Sequence, residues 1–350
     1  MATAAGEWYF DMRGKEEDMR MLRQRRGKSV LLWTMAAIGL FFIAGPASLQ
    51  AQQDFPSNPI QIIVPFGPGG IIDVGTRIFA ERLSKELKVP VVIENKAGGA
   101  GLIGSTAFLN TSPDGYTLLS ASGAAVISTV QLSKSPAFDP RRDFLPVGYI
   151  ADAPCAMSVA KDAPFKTYEE FVKYAKANPG KLRGGVSSLG GETHIMFESI
   201  LKQTKIDSKM VPYPATGGLV TAIMGGHLDW MCLSFPATMP YHKSGDVKIV
   251  LLTRKSAELP DVPAGADVGL PDVSVNQWMG FFAHAKTPKP VYDKLVAAVA
   301  ATARDPEVAK KLSASGFSMS YKGPADFTKL IDGQWDIFGR VIKEANLKVN

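Results

Sequence analysis

The chain has 350 residues, a net charge of +6, and 46% hydrophobic against 21% charged residues. That balance excludes a disordered or collagen-like chain, and two Cys exclude a disulfide framework or a four-Cys zinc site. The length allows two domains or one large one, and 33 Gly with 24 Pro suit a loop-rich α/β protein.

Val30 to Ala44 carries no charge, and at 15 residues it is shorter than the ~20 apolar residues of a membrane-spanning helix. Arg20, Arg23, Arg25, Arg26 and Lys28 precede it, and Leu49-Gln50-Ala51 follow it. A basic segment, an apolar stretch and a small residue at the cut define a secretory signal. Residues 1–51 therefore read as an N-terminal extension plus a signal peptide cleaved after Ala51, with an uncleaved anchor as the alternative. Glu7, Asp11, Glu16, Glu17 and Asp18 make the first 18 residues acidic, so translation from Met19 or Met21 would leave an ordinary bacterial signal. With the leader's 7 basic and 5 acidic residues removed, the charge falls from +6 to +4. No block of basic residues interleaved with aromatics occurs, so no nucleic-acid partner is expected.

Ile60 to Phe66 reads as a buried strand, and Gly67-Pro68-Gly69-Gly70 ends it. Ile71, Val74, Ile78, Phe79, Leu83 and Leu87 recur at helical steps up to Pro90. Val91 to Ile93 is a second strand, Ala97 to Gly101 a second glycine loop, and Leu102 to Leu109 helical. The turn Pro113-Asp114-Gly115 leads into strand Tyr116 to Ala121. Strands then fall at Val147 to Ile150 and Ala156 to Ala160. Thr167 with Glu170 forms a capping box for the helix to Ala177. A third loop, Gly184 to Gly191, precedes a helix over Thr193 to Gln203, and Thr216-Gly217-Gly218 opens another. Met210 to Tyr213, Leu228 to Leu233, Ile249 to Thr253 and Trp278 to Ala283 are strand-like. Helices over Pro290 to Ala303, Pro306 to Ser315 and Pro324 to Lys343 finish the chain. Alternation of strands and helices predicts a mostly parallel sheet, arranged as two α/β lobes with crossings near residues 151 and 278.

His194, His227, His242 and His284 show no metal-motif spacing; His194 and Glu198 lie four apart on a helix but lack converging ligands. No Gly-x-Ser-x-Gly elbow or phosphate-binding Walker loop occurs. Gly99 to Gly104 fits GxGxxG, yet Ala121, Ser122 and Gly123 stand where a dinucleotide fold wants an acidic residue. Neither a metal nor a cofactor is expected. The glycine loops 67–70, 97–101, 184–191 and 216–218 sit at strand-to-helix junctions. There, free N–H groups and the helix dipole attract anions. Each loop by itself also reads as an ordinary turn; together they suggest a cleft for an acidic ligand.

The opening Phe55-Pro56, Pro59-Ile60, Ile63-Val64-Pro65-Phe66, Pro68-Gly69-Gly70 and Asp73-Val74 is recognisable. So are Val92-Ile93-Glu94-Asn95, Gly98 to Gly104 and Pro113 to Leu119. Asp143-Phe144 with Pro146-Val147, Asn178-Pro179-Gly180-Lys181, His194 with Glu198, Val211-Pro212-Tyr213, Gly225-Gly226 with Asp229, Leu259 to Pro263 and Thr287-Pro288 follow. This order and spacing resembles the Bug/TctC family, the extracytoplasmic solute receptors of tripartite tricarboxylate transporters, over residues 55–345.

The resemblance implies an α/β, two-lobed periplasmic-binding-protein fold of type II, with the ligand cleft between lobes. Residues 52–150 with 278–350 would form lobe one, and 151–277 lobe two. It implies a periplasmic receptor, not an enzyme, that captures a small organic carboxylate and serves a membrane permease, as a monomer. By match, Phe66, Gly67, Pro68, Gly69 and Gly70 and the Gly98 to Gly104 stretch, with Gly101 and Gly104, would grip one carboxylate. Ser122 at the third strand's end is counted with them. Ser187, Ser188, Thr193, His194, Ala215 and Thr216 would select the rest of the ligand. Asp73, counted with the ligand-binding residues by match, could cap the helix, orient its loop or face the ligand, with loop ordering the favoured role.

Three departures stand out. Ile72 replaces the threonine before that Asp, Pro214-Ala215 replaces Lys-Gly, and the asparagine usual within Ser187 to Glu192 is missing. The expected ligand is a dicarboxylate or an aromatic carboxylate, and fewer charged groups point to a less polar or aromatic one. An exported hydrolase using His194 with Ser188, and a sensory subunit for a membrane kinase, are the competing readings. Trp230, Trp278, Phe281, Phe282 and Tyr213 are expected in the core, with a ligand wall as the alternative. Cys155 and Cys232 are expected as buried free thiols, with pairing as the alternative in an oxidising compartment.

Overall fold

The structure, a computed structural model, describes residues 55–187, 189–213 and 216–347, all within one compact unit, Phe55–Asn350. The expected leader and the site candidates Ser188 and Ala215 lie outside the described residues.

Strand β1 (Ile60–Val64) is followed by helix α1 (Ile71–Leu87), β2 (Val91–Asn95), α2 (Leu102–Leu109) and β3 (Thr117–Ala121). β1 pairs in parallel with both β2 and β3. Apart from the half-buried Gln61, whose amide donates to Glu94, the strand is apolar because both faces are covered, as in most parallel sheets. Ile60, Ile62 and Val64 pack in one core cluster with Phe79 and Leu83 of α1; Ile63 packs on the other side with Phe108 and Leu119.

After β3 a π-helical turn, Ala124–Ser128, runs into α3 (Thr129–Leu132), and α4 (Pro140–Asp143) leads to β4 (Phe144–Ala153). Beyond Pro154 the chain enters a second sheet with β5 (Cys155–Ala160). There follow α5 (Tyr168–Ala177), β6 (Leu182–Val186), α6 (Glu192–Thr204), β7 (Ser208–Pro212), α7 (Thr216–Met224), β8 (Trp230–Ser234), α8 (Phe235–Lys243) and β9 (Val247–Leu252). The chain returns to the first sheet as β10 (Gln277–His284), then α9 (Lys289–Ala303), α10 (Pro306–Ala314), β11 (Ser318–Lys322) and α11 (Pro324–Glu344).

The first sheet runs β11-β4-β10-β3-β1-β2 and the second β7-β6-β8-β5-β9. In each, one strand has its parallel neighbours on both sides: β1 between β3 and β2, and β6 between β8 and β7. Connections leave such a pair in opposite directions, which opens a crevice beyond the strands' carboxyl ends. Each sheet therefore contributes one crevice, and the loops after β1, β3, β6 and β8 line them.

Several elements depart from expectation: both sheets are mixed rather than mostly parallel, because β10 runs antiparallel to β3 and β4, β11 to β4, and β5 to β8 and β9. β11 (SMSYK) is an edge strand with one partner, β4, so its half-exposed pattern carries little apolar signal. α8 contains Pro236 and Pro240. The first sits in the opening turn, where no N–H is needed, and the second costs one backbone bond. Thr167 caps α5 by accepting from Glu170 N–H, but the Glu170 carboxylate turns to the N–H of Lys166, not to Thr167. Trp230, Trp278, Phe281 and Phe282 are fully buried core residues. Cys155 and Cys232 are buried free thiols. Among the described residues no helix is long and apolar enough to cross a membrane.

The second core is tight around β6. Trp230 and Phe197 stack with centroids 4.2 Å apart, and a Cβ on Gly184 would meet Phe197 at 2.4 Å and Trp230 at 2.5 Å. Gly333, inside α11, has open space around it. Urea denaturation is expected to show opposite signs for the two alanine substitutions. Gly184→Ala should lose about 1–3 kcal/mol through overpacking, whereas Gly333→Ala should gain about 0.4–1 kcal/mol by restricting the unfolded chain.

Candidate functional site

A cleft of about 640 Å³ lies where the two crevices face each other. The first sheet's side supplies Phe66, Gly69, Gly70, Ile71 and Ile72 after β1, and Ser122 and Ala124 after β3. The second supplies Ser187 after β6, Glu192 and Thr193 at the start of α6, Thr216 at the start of α7, and Ser234 after β8. Gln277, the first residue of β10, completes the wall.

Three helices open onto this cleft without a side-chain cap. Their N-cap residues are Gly70 for α1, Gly191 for α6 and Ser234 for α8, and none makes a side-chain capping bond. A helix start leaves backbone N–H groups without intrahelical partners. Such groups, with the helix dipole behind them, bind anions. No Lys, Arg or His is among the described residues lining the cleft; Glu192 is the charged one.

The loop after β1 is held by a buried carboxylate. Asp73 Oδ2 accepts from Gly69 N–H at 2.9 Å and from Arg77 Nε at 3.0 Å. Its Oδ1 accepts from Asn95 Nδ2 at 2.8 Å and meets Arg77 Nη2 at 2.9 Å. Asn95 Nδ2 also donates to the Phe66 carbonyl at 3.0 Å, and Arg77 donates to Asn95 Oδ1 at 2.9 Å. Burial acts to raise the Asp73 pKa, but the Arg77 guanidinium, the Gly69 N–H and the Asn95 amide outweigh it and hold the carboxyl below its usual value. Asp73 is absent from the cleft wall; its geometry is that of a loop-ordering residue. Gly67 and Pro68 are exposed and stand outside the wall.

The second glycine loop is placed differently. Gly98, Gly99, Ala100 and Gly101 all have positive φ, a conformation that favours glycine. A Cβ on Gly101 would meet Ala125 at 2.5 Å, and one on Gly104 would meet the Lys96 carbonyl and Pro65 at 2.6 Å. Gly101 and Gly104 thus permit close packing and are not part of the cleft wall. Gly99 and Ala100 border a neighbouring cavity of about 1110 Å³, shared with Ser187, His194 and Tyr213.

His194 is buried, and its Nδ1 accepts the Gly190 N–H at 2.8 Å. Its Nε2 lies 3.5 Å from Glu198 Oε1. The imidazole therefore pins the loop before α6. It does not present a free Nδ1 for catalysis. Among the described residues no group of three His, Cys, Asp or Glu side chains could hold a metal ion.

Glu192, Ser234 and Gln277 escape sequence reasoning. Glu192 follows a glycine pair and opens a helix, where an acidic residue ordinarily complements the dipole. Nothing local marks it as buried. In the fold it is 3% exposed, and Oε1 accepts the Ala124 N–H across the cleft at 3.1 Å. Burial pushes its pKa up, against the N–H groups of Glu192 itself and of Ala124.

A family model described as "Tripartite tricarboxylate transporter family receptor" matches residues 76–347. BugT of Bordetella pertussis is 28% identical over 319 residues, which is 90% of this chain and 98% of BugT. The structure of the periplasmic binding protein BugD aligns with a TM-score of 0.71 at 29% identity, over 84% of this chain and 99% of BugD. An R. palustris protein solved with adipate aligns with a TM-score of 0.74 at 26% identity, over 84% of this chain and 99% of that one.

The Asp73 network makes a signed prediction. Because the native pKa is lowered, its stabilisation is complete above the usual value of 3.8 and disappears as pH falls through the native value. Asp73→Asn should therefore destabilise the protein at pH 7, and the gap from wild type should narrow below about pH 4. Urea denaturation at a series of pH values reads both.

Proposed function

The chain belongs to the tripartite tricarboxylate transporter receptor family, with its two-lobed periplasmic-binding-protein fold, and on that premise we propose that it captures a small organic carboxylate between the lobes and delivers it to a membrane permease. It is a receptor and not an enzyme. The observation that carries the ligand class is the set of uncapped helix starts of α1, α6 and α8 around a cleft without a basic side chain among its described residues. Carboxylate oxygens are the acceptors those N–H groups need. The adipate bound by the R. palustris relative is in keeping with this.

In this reading residues 52–150 with 278–350 and residues 151–277 are the two lobes, with the protein exported to the periplasm by the cleaved leader. The ligand stabilises the closed form because it touches donors from both lobes at once. The closed form then docks on the permease as a monomer. The engagement of His194 Nδ1 by Gly190 speaks against a hydrolase built on that histidine.

A thermal-shift screen tests the reading. The protein, expressed as the full chain and purified from the periplasm, is refolded to remove bound ligand. It is then scanned with C4–C6 dicarboxylates, citrate, acidic amino acids, nicotinate, benzoate and terephthalate. A ligand at 100 times its Kd adds about 2.7 kcal/mol of stability, so at least one carboxylate should raise the Tm by several degrees and be recovered unchanged. Silence across the panel overturns carboxylate capture.

A further inference from the structure

The cleft has two chemically opposite ends. On one side are the open N–H groups of α1, beside the Gly69 and Gly70 backbone. On the other stands the Glu192 carboxyl, with Gln277 Oε1, a buried acceptor without a hydrogen-bond partner among the described residues. Ser122 Oγ, 1% exposed, comes from the first sheet's side, lies beside the Glu192 carboxyl, and can donate or accept. Gly123 leaves room for this arrangement, since a Cβ there would lie 3.3 Å from Glu192 Oε1. No Lys, Arg or His among the described wall residues balances the carboxyl.

We propose that Glu192 sets the selectivity of the cleft: it accepts a hydrogen-bond donor, an ammonium or a primary amide, from the far end of the carboxylate ligand and excludes a second carboxylate there. The inference deepens the carboxylate-receptor reading and rests on it. Gln277 Oε1 is a buried acceptor left unpaired among the described residues, which is costly, and a donor on the ligand that reaches it together with the Glu192 carboxyl removes that cost. A second carboxylate brings like charge against Glu192 where water is scarce, so one of the two must take up a proton before binding. An ammonium forms a charge-assisted bond with the same group.

The test uses matched probes: adipate, adipic acid monoamide and the ω-amino acid of equal length, with the same trio built on glutarate and on succinate. Affinities are measured by calorimetry for the wild type and for Glu192→Gln, whose folding is checked by its urea transition. The wild type should bind the amide- or ammonium-ended member at least about tenfold more tightly than the dicarboxylate of equal length. Glu192→Gln should cut that ratio by about tenfold, because it keeps the shape and an acceptor for Ala124 N–H but loses the charge. A wild type that prefers the dicarboxylates overturns the proposal even if the variant does not fold. An unchanged ratio in folded Glu192→Gln also overturns it and makes Glu192 a tie between cleft walls. In both cases carboxylates still bind, and the receptor reading survives. If no carboxylate binds either protein, here or in the wider screen, both fall together.

Discussion

One carboxylate, held between the Arg77 guanidinium, the Asn95 amide and the Gly69 N–H, keeps the loop after β1 in the shape the cleft requires. The bonds reach in three directions: along α1 to Arg77, across to the end of β2 at Asn95, and into the loop itself at Gly69. Asn95 extends the tie to the Phe66 carbonyl, so both ends of the turn are fixed. A loop held this way sets the open N–H groups at the start of α1 in place before any ligand arrives. Preorganised donors avoid the ordering cost that a flexible loop would incur on binding.

Reliance on backbone donors has a consequence for a receptor that must release its cargo. A lysine or arginine in the cleft would have to be desolvated on closing and would hold an anion strongly. Three uncapped helix starts spread the attraction over several weaker bonds drawn from both sheets. Such a ligand is held well only while both walls touch it. Opening the cleft removes part of the donor set at once.

The remaining glycines and His194 serve this geometry indirectly. Gly101 and Gly104 let α2 and the π-helical turn approach the ends of β1 and β2, which supports Phe66 from behind. His194 fixes the loop before α6 through Gly190, and so helps to aim Glu192 and Thr193 at the cleft. Among the described residues, the polar side chains at the wall are mostly small hydroxyls, with Gln277 an amide and Glu192 the one carboxylate.

The apolar run of β1, the helical steps of α1 and the turn chemistry at Pro113-Asp114-Gly115 were legible because short-range periodicity and backbone preference decide them. So were the glycine loops at the strand ends, since only glycine tolerates positive φ freely at Gly69, Gly98, Gly99 and Gly101. A loop-ordering role for Asp73 was expected from the family resemblance, where an Asp follows the glycines, with capping the helix and facing the ligand left open beside it. Three things were not legible. The edge strand β11 draws its identity from one neighbour, β4, which is far away in sequence. Gly101 and Gly104 look like ligand loops locally, and only packing against Ala125 and Pro65 gives them another task. Glu192 reads as an ordinary first-turn acid until the turn after β3 arrives with Ala124 and helps remove it from water. Local sequence determines which backbone can form and which groups it leaves open. Burial and the opposition of two walls are sums over distant segments, and only the tertiary structure decides those.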